Sequence, residues 1–576
     1  MRYQGIGVCP GVALNRCFRL SPLPQFDYNL RAKQPKQTAL TAFTDASAQL
    51  KADFSAVAAK NANKTQAELV EVQLAMLEDE SFVELVQNEI EAGYAPEAAV
   101  LRAARSFEQM LKALDDEYMS ARADDVRDLG VRLACRIADL PYPSLSGLLE
   151  DCVVVADDLL PSMLMTAEFD HIRGIVTENG TRTSHISILA TGLEIPTIVA
   201  CKGAMKIAHG DMVFMDGEQG IAEDGLSEEK MQSFGARREA YFRERQELLG
   251  FASREAKTAD GVKIGVLANI VTPAVLDKVL SYGAEGVGLF RTEFLYMNRS
   301  TLPDEEEQFA IYSAAAKKLG GKPLTIRTMD IGGDKDAPCL NLPKEDNPFM
   351  GYRAVRISLD RKDLLMPQLR AILRAAAYGD IWIMFPMIAV KREITGMLAA
   401  LEEAKAQLKQ EGVPFGETYH AGMMVEVPSA ALRMDHFAKY VDFASIGSND
   451  LTQYTYAADR MNARVGYLYD FLDPAVLRLI KRTIDVCRSE NTVCSLCGEM
   501  AGTALGLAAL VALGIQKVSV SPSGILKTKS RLSMLNATAM LKVGESMINA
   551  EDATEVKQLL LKALPKGYAL ERKEET

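Results

Sequence analysis

The chain has no uninterrupted run of about 18 apolar residues, so no segment reads as a membrane-spanning helix. It has no surplus of basic charge. Its 65 Lys and Arg stand against 77 Asp and Glu, a net charge of −12, and a chain without a basic face is a poor partner for nucleic acid. The opening MRYQGIGVCPGVAL lacks the basic-then-apolar layout of a secretory signal. The nine cysteines are odd in number and scattered, which makes a poor disulfide framework and favours a reducing compartment, the cytoplasm. There is no short-period repeat and no low-complexity segment. Histidine is scarce, with five in all: His171, His185, His209, His420 and His436.

The chain does have length and ordinary composition. Its 576 residues exceed what one core organises, and 48% apolar with 25% charged residues is usual for a globular protein. Acidity is uneven. Residues 65–96 hold no Lys or Arg but eight carboxylates, Glu68, Glu71, Glu78, Asp79, Glu80, Glu84, Glu89 and Glu91. Such a run is either a solvated helix face or a docking surface for a basic partner.

Residues 1–20 read as strands. Residues 30–140 are poor in Gly and Pro and rich in helix formers, with Leu69, Val72 and Met76 at helical spacing, which predicts an all-helical segment. The pattern breaks at Leu140-Pro141-Tyr142-Pro143. Short apolar runs follow at 152–156, 174–177, 197–200 and 212–215, and they predict a small α/β domain that the N-terminal strands join. The division expected is therefore 1–20 with 145–225 as the α/β domain, 21–144 as a helical insertion, 226–258 as a charged connecting helix, and 259–576 as the remainder. In that remainder eight candidate strands, 262–269, 284–290, 323–329, 381–387, 421–426, 442–446, 492–497 and 516–520, alternate with helical patterns, which predicts a (β/α)8 TIM-type barrel.

Chemistry in such barrels sits at the C-terminal ends of the strands. Those ends carry Arg291-Thr292-Glu293, Arg327 followed by Asp330, Glu426, Ser448-Asn449-Asp450 and Cys497-Gly498-Glu499, and downstream loops add Asn347, Arg353, Arg356 and Arg460. One charged residue after a strand is usually solvated rim; arginines and carboxylates after several strands make a functional cluster. Guanidinium forks suit phosphate and carboxylate, and Glu426 with Asp450 can hold Mg²⁺, which takes one or two protein carboxylates plus substrate oxygens. The set describes a site for a phosphorylated organic acid with a divalent metal.

His185 stands apart from that cluster. A polar turn, Asn179-Gly180-Thr181-Arg182-Thr183-Ser184, leads through it into an apolar helical run. Thr183 or Ser184 is expected to cap that helix. A phosphate on His185 would lie near a helix N-terminus, where free N–H groups favour an anion. A lone histidine is more often a surface or capping residue. An imidazole in a domain separate from the arginine cluster, and largely neutral at pH 7, suits a mobile phosphohistidine.

These residues resemble the enzyme I family, the phosphoenolpyruvate-protein phosphotransferases of the bacterial sugar phosphotransferase system, over essentially the whole chain. The resemblance rests on Gly7-Val8-Cys9-Pro10-Gly11, on Asp115-Asp116-Glu117-Tyr118 continuing to Asp128, on Arg182-Thr183-Ser184-His185, and on the long barrel matches at 287–298, 327–335, 346–353, 445–460 and 497–502. It implies a swivelling α/β phosphohistidine domain, an inserted helical domain that binds the carrier, and a barrel that binds phosphoenolpyruvate and forms a homodimer. It implies that His185 is the nucleophile, phosphorylated on Nε2. Arg291, Arg327, Arg353 and Arg460, with Asn449, would clamp substrate, Glu426 and Asp450 would hold Mg²⁺, and Cys497 would protonate the enolate to give pyruvate. The partner implied is a histidine-containing phosphocarrier protein. Thr181, Thr191, Val427 and Gln73 depart from the family's usual residues and leave the carrier's identity open. Related dikinases and synthases require a nucleotide-binding domain, for which this length leaves no room. A zinc or redox role for Cys494 with Cys497 lacks a second ligand pair.

Overall fold

The computed structural model describes residues 1–568 apart from 61–63, 114–116, 166, 182–183, 298–300, 334–336, 344, 461 and 463. At 58–60, 64–69, 112–113, 117–124, 185, 188 and 192 it describes the backbone alone. The chain divides into two units, 1–245 and 246–576.

The first unit is built on an eight-stranded sheet. Its strands are β1 (Arg2–Gln4), β2 (Ile6–Cys9), β3 (Val12–Arg19), β4 (Cys152–Ala156), β5 (Ile172–Thr177), β6 (Thr197–Val199), β7 (Met212–Asp216) and β8 (Ile221–Glu223), in the order β1-β8-β7-β3-β4-β5-β6-β2. β4 is buried at every position, as expected of a central strand covered on both faces. Five helices, Lys36–Lys60, Lys64–Leu77, Glu80–Glu91, Pro96–Ala113 and Glu117–Ile137, fall between β3 and β4. The stripe Phe82, Val86, Ile90 recurs every four residues and buries one face of the third helix. Asp79 caps that helix, accepting from the N–H groups of Ser81 (2.9 Å) and Phe82 (3.1 Å). The helices and the sheet share one apolar cluster, in which Phe43, Leu50 and Leu133 lie with Val154, Leu164 and Ile186. Each such side chain contributes about 1.5–3 kcal/mol on burial.

The second unit is a closed barrel of eight parallel strands, β9 (Gly265–Ile270), β10 (Val287–Phe290), β11 (Leu324–Arg327), β12 (Ile381–Phe385), β13 (His420–Val425), β14 (Phe443–Ile446), β15 (Val493–Leu496) and β16 (Lys517–Val520), with β16 pairing back onto β9. All eight fall where the alternation of strand and helix patterns predicts them, and the fold is the (β/α)8 barrel expected. Side chains alternate along each strand. Val266, Ala268, Ala444, Ile446, Leu496 and Val518 join the outer core beneath the helices. Leu289, Met384, Met424, Phe443 and Cys497 form a separate inner cluster, flanked by Trp382 and Val493. β8 has no counterpart in the sequence reading; three residues are too few for a period of two to show.

Candidate active site

Five strand ends and the loops behind them converge at the barrel's C-terminal mouth. Arg327 is the last residue of β11, and Arg353 follows the loop that begins there; they are 5% and 2% exposed. One carboxylate joins them. Asp330 pairs with Arg327 Nη1 at 2.9 Å and accepts from Arg353 Nη2 at 2.8 Å. Arg327 also pairs with Glu293, and Arg353 donates to the Tyr454 hydroxyl at 3.0 Å. Burial alone would lower both guanidinium pKa values, but Glu293 and Asp330 around Arg327, and Asp330 and Asp450 around Arg353, outweigh it and raise them. Gly332, at φ 101°, lets the loop lie against Arg353, because a Cβ there would meet Arg353 Cβ at 2.6 Å.

Glu426 follows β13 directly and is 1% exposed. Its Oε1 accepts from the Met387 N–H at 2.7 Å, and Met387 holds φ at +58° to present it, a conformation that costs about 1–3 kcal/mol and collects at functional sites. Burial pushes the Glu426 carboxyl up to about 8, helped by Asp450 and Asp330 and opposed by Arg327 and Arg353. Asp450 lies in the first turn of helix Ser448–Tyr456. It faces Arg460 at 3.3 Å and Arg353 at 3.7 Å. Asn449 Oδ1 accepts from the Glu499 N–H at 3.0 Å, which ties the β14 loop to the β15 loop. Glu426, whose proton affinity Asp450 raises, offers with it two hard oxygen ligands that fit a divalent cation of the Mg²⁺ kind, which leaves its other positions to substrate and water.

Cys497 follows β15 and packs in the inner cluster. Its thiol lies 3.7 Å from the Ile446 carbonyl. Burial raises the thiol's pKa, and the Ser445 hydroxyl, Arg327 and Arg291 pull the other way. Arg291 follows β10 and is exposed, its N–H donating to the Ile270 carbonyl at 3.0 Å. Cys494 joins the outer core, on the opposite face of the strand from Cys497.

Arg291, Arg327, Arg353, Glu426, Asn449, Asp450, Arg460 and Cys497 thus lie around one mouth, while Arg356 donates to the Met350 and Gly351 carbonyls of its own loop. Reading strand ends assigned no role to Glu293 or Asp330, the carboxylates that hold the arginines. Their signal was position: each follows a strand-end arginine by two or three residues.

In the first unit, His185 is the first residue of helix His185–Leu193. Its side chain, with Arg182 and Thr183, lies outside the described residues. The turn before it is pinned: Asn179 donates to Asp157 Oδ1 at 2.8 Å and accepts from Lys202 Nζ at 2.8 Å. Ser184 takes the N-cap position but does not cap. Its hydroxyl donates to the Thr181 carbonyl at 2.9 Å and lies 3.0 Å from Ser187 Oγ, because the turn's own carbonyl competes for it.

Three models of phosphoenolpyruvate-utilising enzymes match this chain: the N-terminal domain over residues 4–122, the mobile domain over 148–220 and the PEP-binding domain over 245–537. Fold and site therefore define a phosphoenolpyruvate-utilising protein. The chain is 38% identical over 562 residues to the phosphoenolpyruvate-protein phosphotransferase of Staphylococcus carnosus, covering 97% of this chain and 98% of that one. It is 39% identical to the protein of that name from a Bacillus species, over 96% of each chain. To that of Priestia megaterium it is 40% identical, over 92% of this chain and 94% of the other. The chain belongs to the phosphoenolpyruvate-protein phosphotransferase family.

Proposed function

We propose that this protein transfers the phosphoryl group of phosphoenolpyruvate to Nε2 of its own His185, releasing pyruvate, and passes it on to a histidine-containing phosphocarrier protein as the first step of the sugar phosphotransferase system. The observation that carries the reading is the barrel mouth, where buried Arg327 and Arg353 share Asp330 beside the Glu426–Asp450 pair.

Phosphoryl transfer is mostly positioning and charge stabilisation. Arg291, Arg327, Arg353 and Arg460, with Asn449, bind the phosphate and carboxylate of the substrate. Arg327 and Arg353 cannot swing away, because Asp330 holds both, so their forks are oriented before substrate arrives. Glu426 and Asp450 would hold Mg²⁺, which when bound supplies positive charge beside the phosphate oxygens. Neutral His185 is carried to the mouth and attacks phosphorus; the P–N bond forms as the bridging P–O bond breaks, leaving enolpyruvate. The Cys497 thiol gives its proton to C3. A thiol whose pKa burial has raised is still protonated at neutral pH, as a proton donor must be.

The helical segment between β3 and β4 is the proposed carrier-binding domain. Of its acidic run, Asp79 serves as a helix cap, Glu78 pairs with Lys51 and Glu89 with Arg102, while Glu71, Glu80, Glu84 and Glu91 are exposed and offer a basic carrier a complementary face. Among the described residues no helix is long and apolar enough to cross a membrane. A cytoplasmic homodimer joined through the barrel completes the proposal.

The test is incorporation of radiolabel from phosphoenolpyruvate and Mg²⁺ into the full chain, compared with His185→Ala. Acid-labile, alkali-stable label on the parent and none on the variant is expected. Equal labelling of both would overturn the assignment of His185.

A further inference from the structure

The inside of a (β/α)8 barrel is ordinarily filled by layers of bulky branched side chains. Here polar side chains interrupt that filling on β14, β15 and β16. The alternation that sends Ala444, Cys494 and Val518 outward leaves Ser445 on β14, Ser495 on β15 and Lys517 on β16 facing inward. The register sets these three side by side: Ser445 is opposite Ser495, and Ser495 is opposite Lys517. At one end of the row Cys497 stands two residues beyond Ser495 on the same inward face, diagonal to Ser445 across the strand pair. The Ser445 hydroxyl has no hydrogen-bond partner among the described residues, although Ser445 is only 1% exposed, and neither has the hydroxyl of fully buried Ser519, two residues beyond Lys517 on β16. Leaving a buried hydroxyl unmatched costs about 1–3 kcal/mol, and ordered water is its usual partner. At the other end Lys517 Nζ lies 5.1 Å from the centre of the Trp382 ring, at the barrel's foot.

We propose that Ser445 and Ser495 form a proton relay between Cys497 at the mouth and Lys517 at the foot, so that the thiol is recharged through the barrel interior rather than through the substrate-filled mouth. The proposal rests on Cys497 being the proton donor. The balance is simple. The S–H bond of Cys497 breaks as the C3–H bond forms. The thiolate then takes the Ser445 proton, Ser445 takes one from Ser495, and Ser495 takes one from the Lys517 ammonium, which is replenished from solvent. Bridging waters complete any gap wider than a hydrogen bond. Burial lowers the Lys517 pKa against the pull of Glu285 and Asp380, which makes its ammonium a readier donor.

Reversal of the transfer tests this. The full chain is incubated in D₂O with Mg²⁺, phosphoenolpyruvate and carbon-labelled pyruvate. Carbon label entering phosphoenolpyruvate counts reversals. Deuterium entering the pyruvate methyl group counts how often the proton taken up by Cys497 exchanges with solvent before it is returned. In the parent protein deuterium should keep pace with carbon. Ser495→Ala and Lys517→Met should lower deuterium per carbon about fivefold, and Ser495→Thr, which keeps the hydroxyl, should restore it. A general loss of structure would lower both counts together and leave the ratio at the parent value. An unchanged ratio in both variants, with carbon exchange still at the parent rate, would overturn the relay and make the serines mere small residues. If Cys497→Ala carried both labels at the parent rate, the assignment of the proton donor itself would fall.

Discussion

A single carboxylate, Asp330, holds two guanidiniums that are both nearly sealed from water. Removing one partner of a buried charge pair leaves the other uncompensated, at a cost of about 3–5 kcal/mol. Asp330→Ala is therefore expected to destabilise the barrel by that amount and to abolish labelling from phosphoenolpyruvate, with urea unfolding and radiolabel incorporation as the two readouts. Asp330→Asn keeps the shape and one acceptor, so it should lose less stability than it loses activity. Cys497 gives a pH prediction. Because burial holds its thiol above the usual range near 8.5, alkylation of this residue by iodoacetamide should stay slow at neutral pH and climb only in more alkaline solution. Ser445→Ala should move that climb higher still, since the hydroxyl favours the thiolate; peptide-resolved alkylation rates across a pH series would show it. The arginines of the site were legible in the sequence because a strand end is a position that periodicity reveals. Their carboxylate partners were only partly legible, because which of two neighbouring acids reaches which guanidinium is decided by loop geometry, as with Gly332 and the loop it allows to close on Arg353.

At the level of elements, the barrel strands were readable because each is a short apolar run bounded by turn residues and followed by a long amphipathic helix, and both patterns are local. What joins the helical segment to the sheet was not readable, because it depends on contacts distant in the chain. Asp128, on helix Glu117–Ile137, is fully buried and accepts from the Tyr142 hydroxyl (2.6 Å), the Ser162 N–H (2.7 Å) and the Ser162 hydroxyl (2.8 Å). Arg132, one turn on, lies over the rings of Phe54 and Tyr142 and donates to the Ser162 carbonyl. Asp128→Ala should cost about 3 kcal/mol in urea unfolding of the first unit, because it strands three donors and removes the carboxylate beside half-buried Arg132. The sign with pH follows from burial, which raises the Asp128 pKa against the pull of those hydrogen bonds. As pH rises from the unfolded value near 3.9 through the folded one, the unfolded chain gives up its proton first, and stability falls. Asp128→Asn has no proton to lose, so its stability should be flatter with pH across that window.

For the whole molecule, the match to curated relatives across nearly the full chain joins two units whose chemistry is complementary, one with the histidine and one with the anion site. Ligand binding should therefore register in one unit only. Phosphoenolpyruvate with Mg²⁺ at about 100 times its dissociation constant should stabilise the barrel by about 2.7 kcal/mol and leave the unfolding of the first unit where it was in His185→Ala, in which no phosphoryl group can be taken up. The molecule carries its own means of telling the two apart. The chain's one indole, Trp382, sits on β12 with its N–H on Asp380 and its ring against His420 and Phe443. Ultraviolet emission excited at the red edge, where tyrosine is silent, thus reports on the C-terminal half alone, so comparing it with a signal summed over every helix, such as circular dichroism, would separate the melting of the two halves without an added dye.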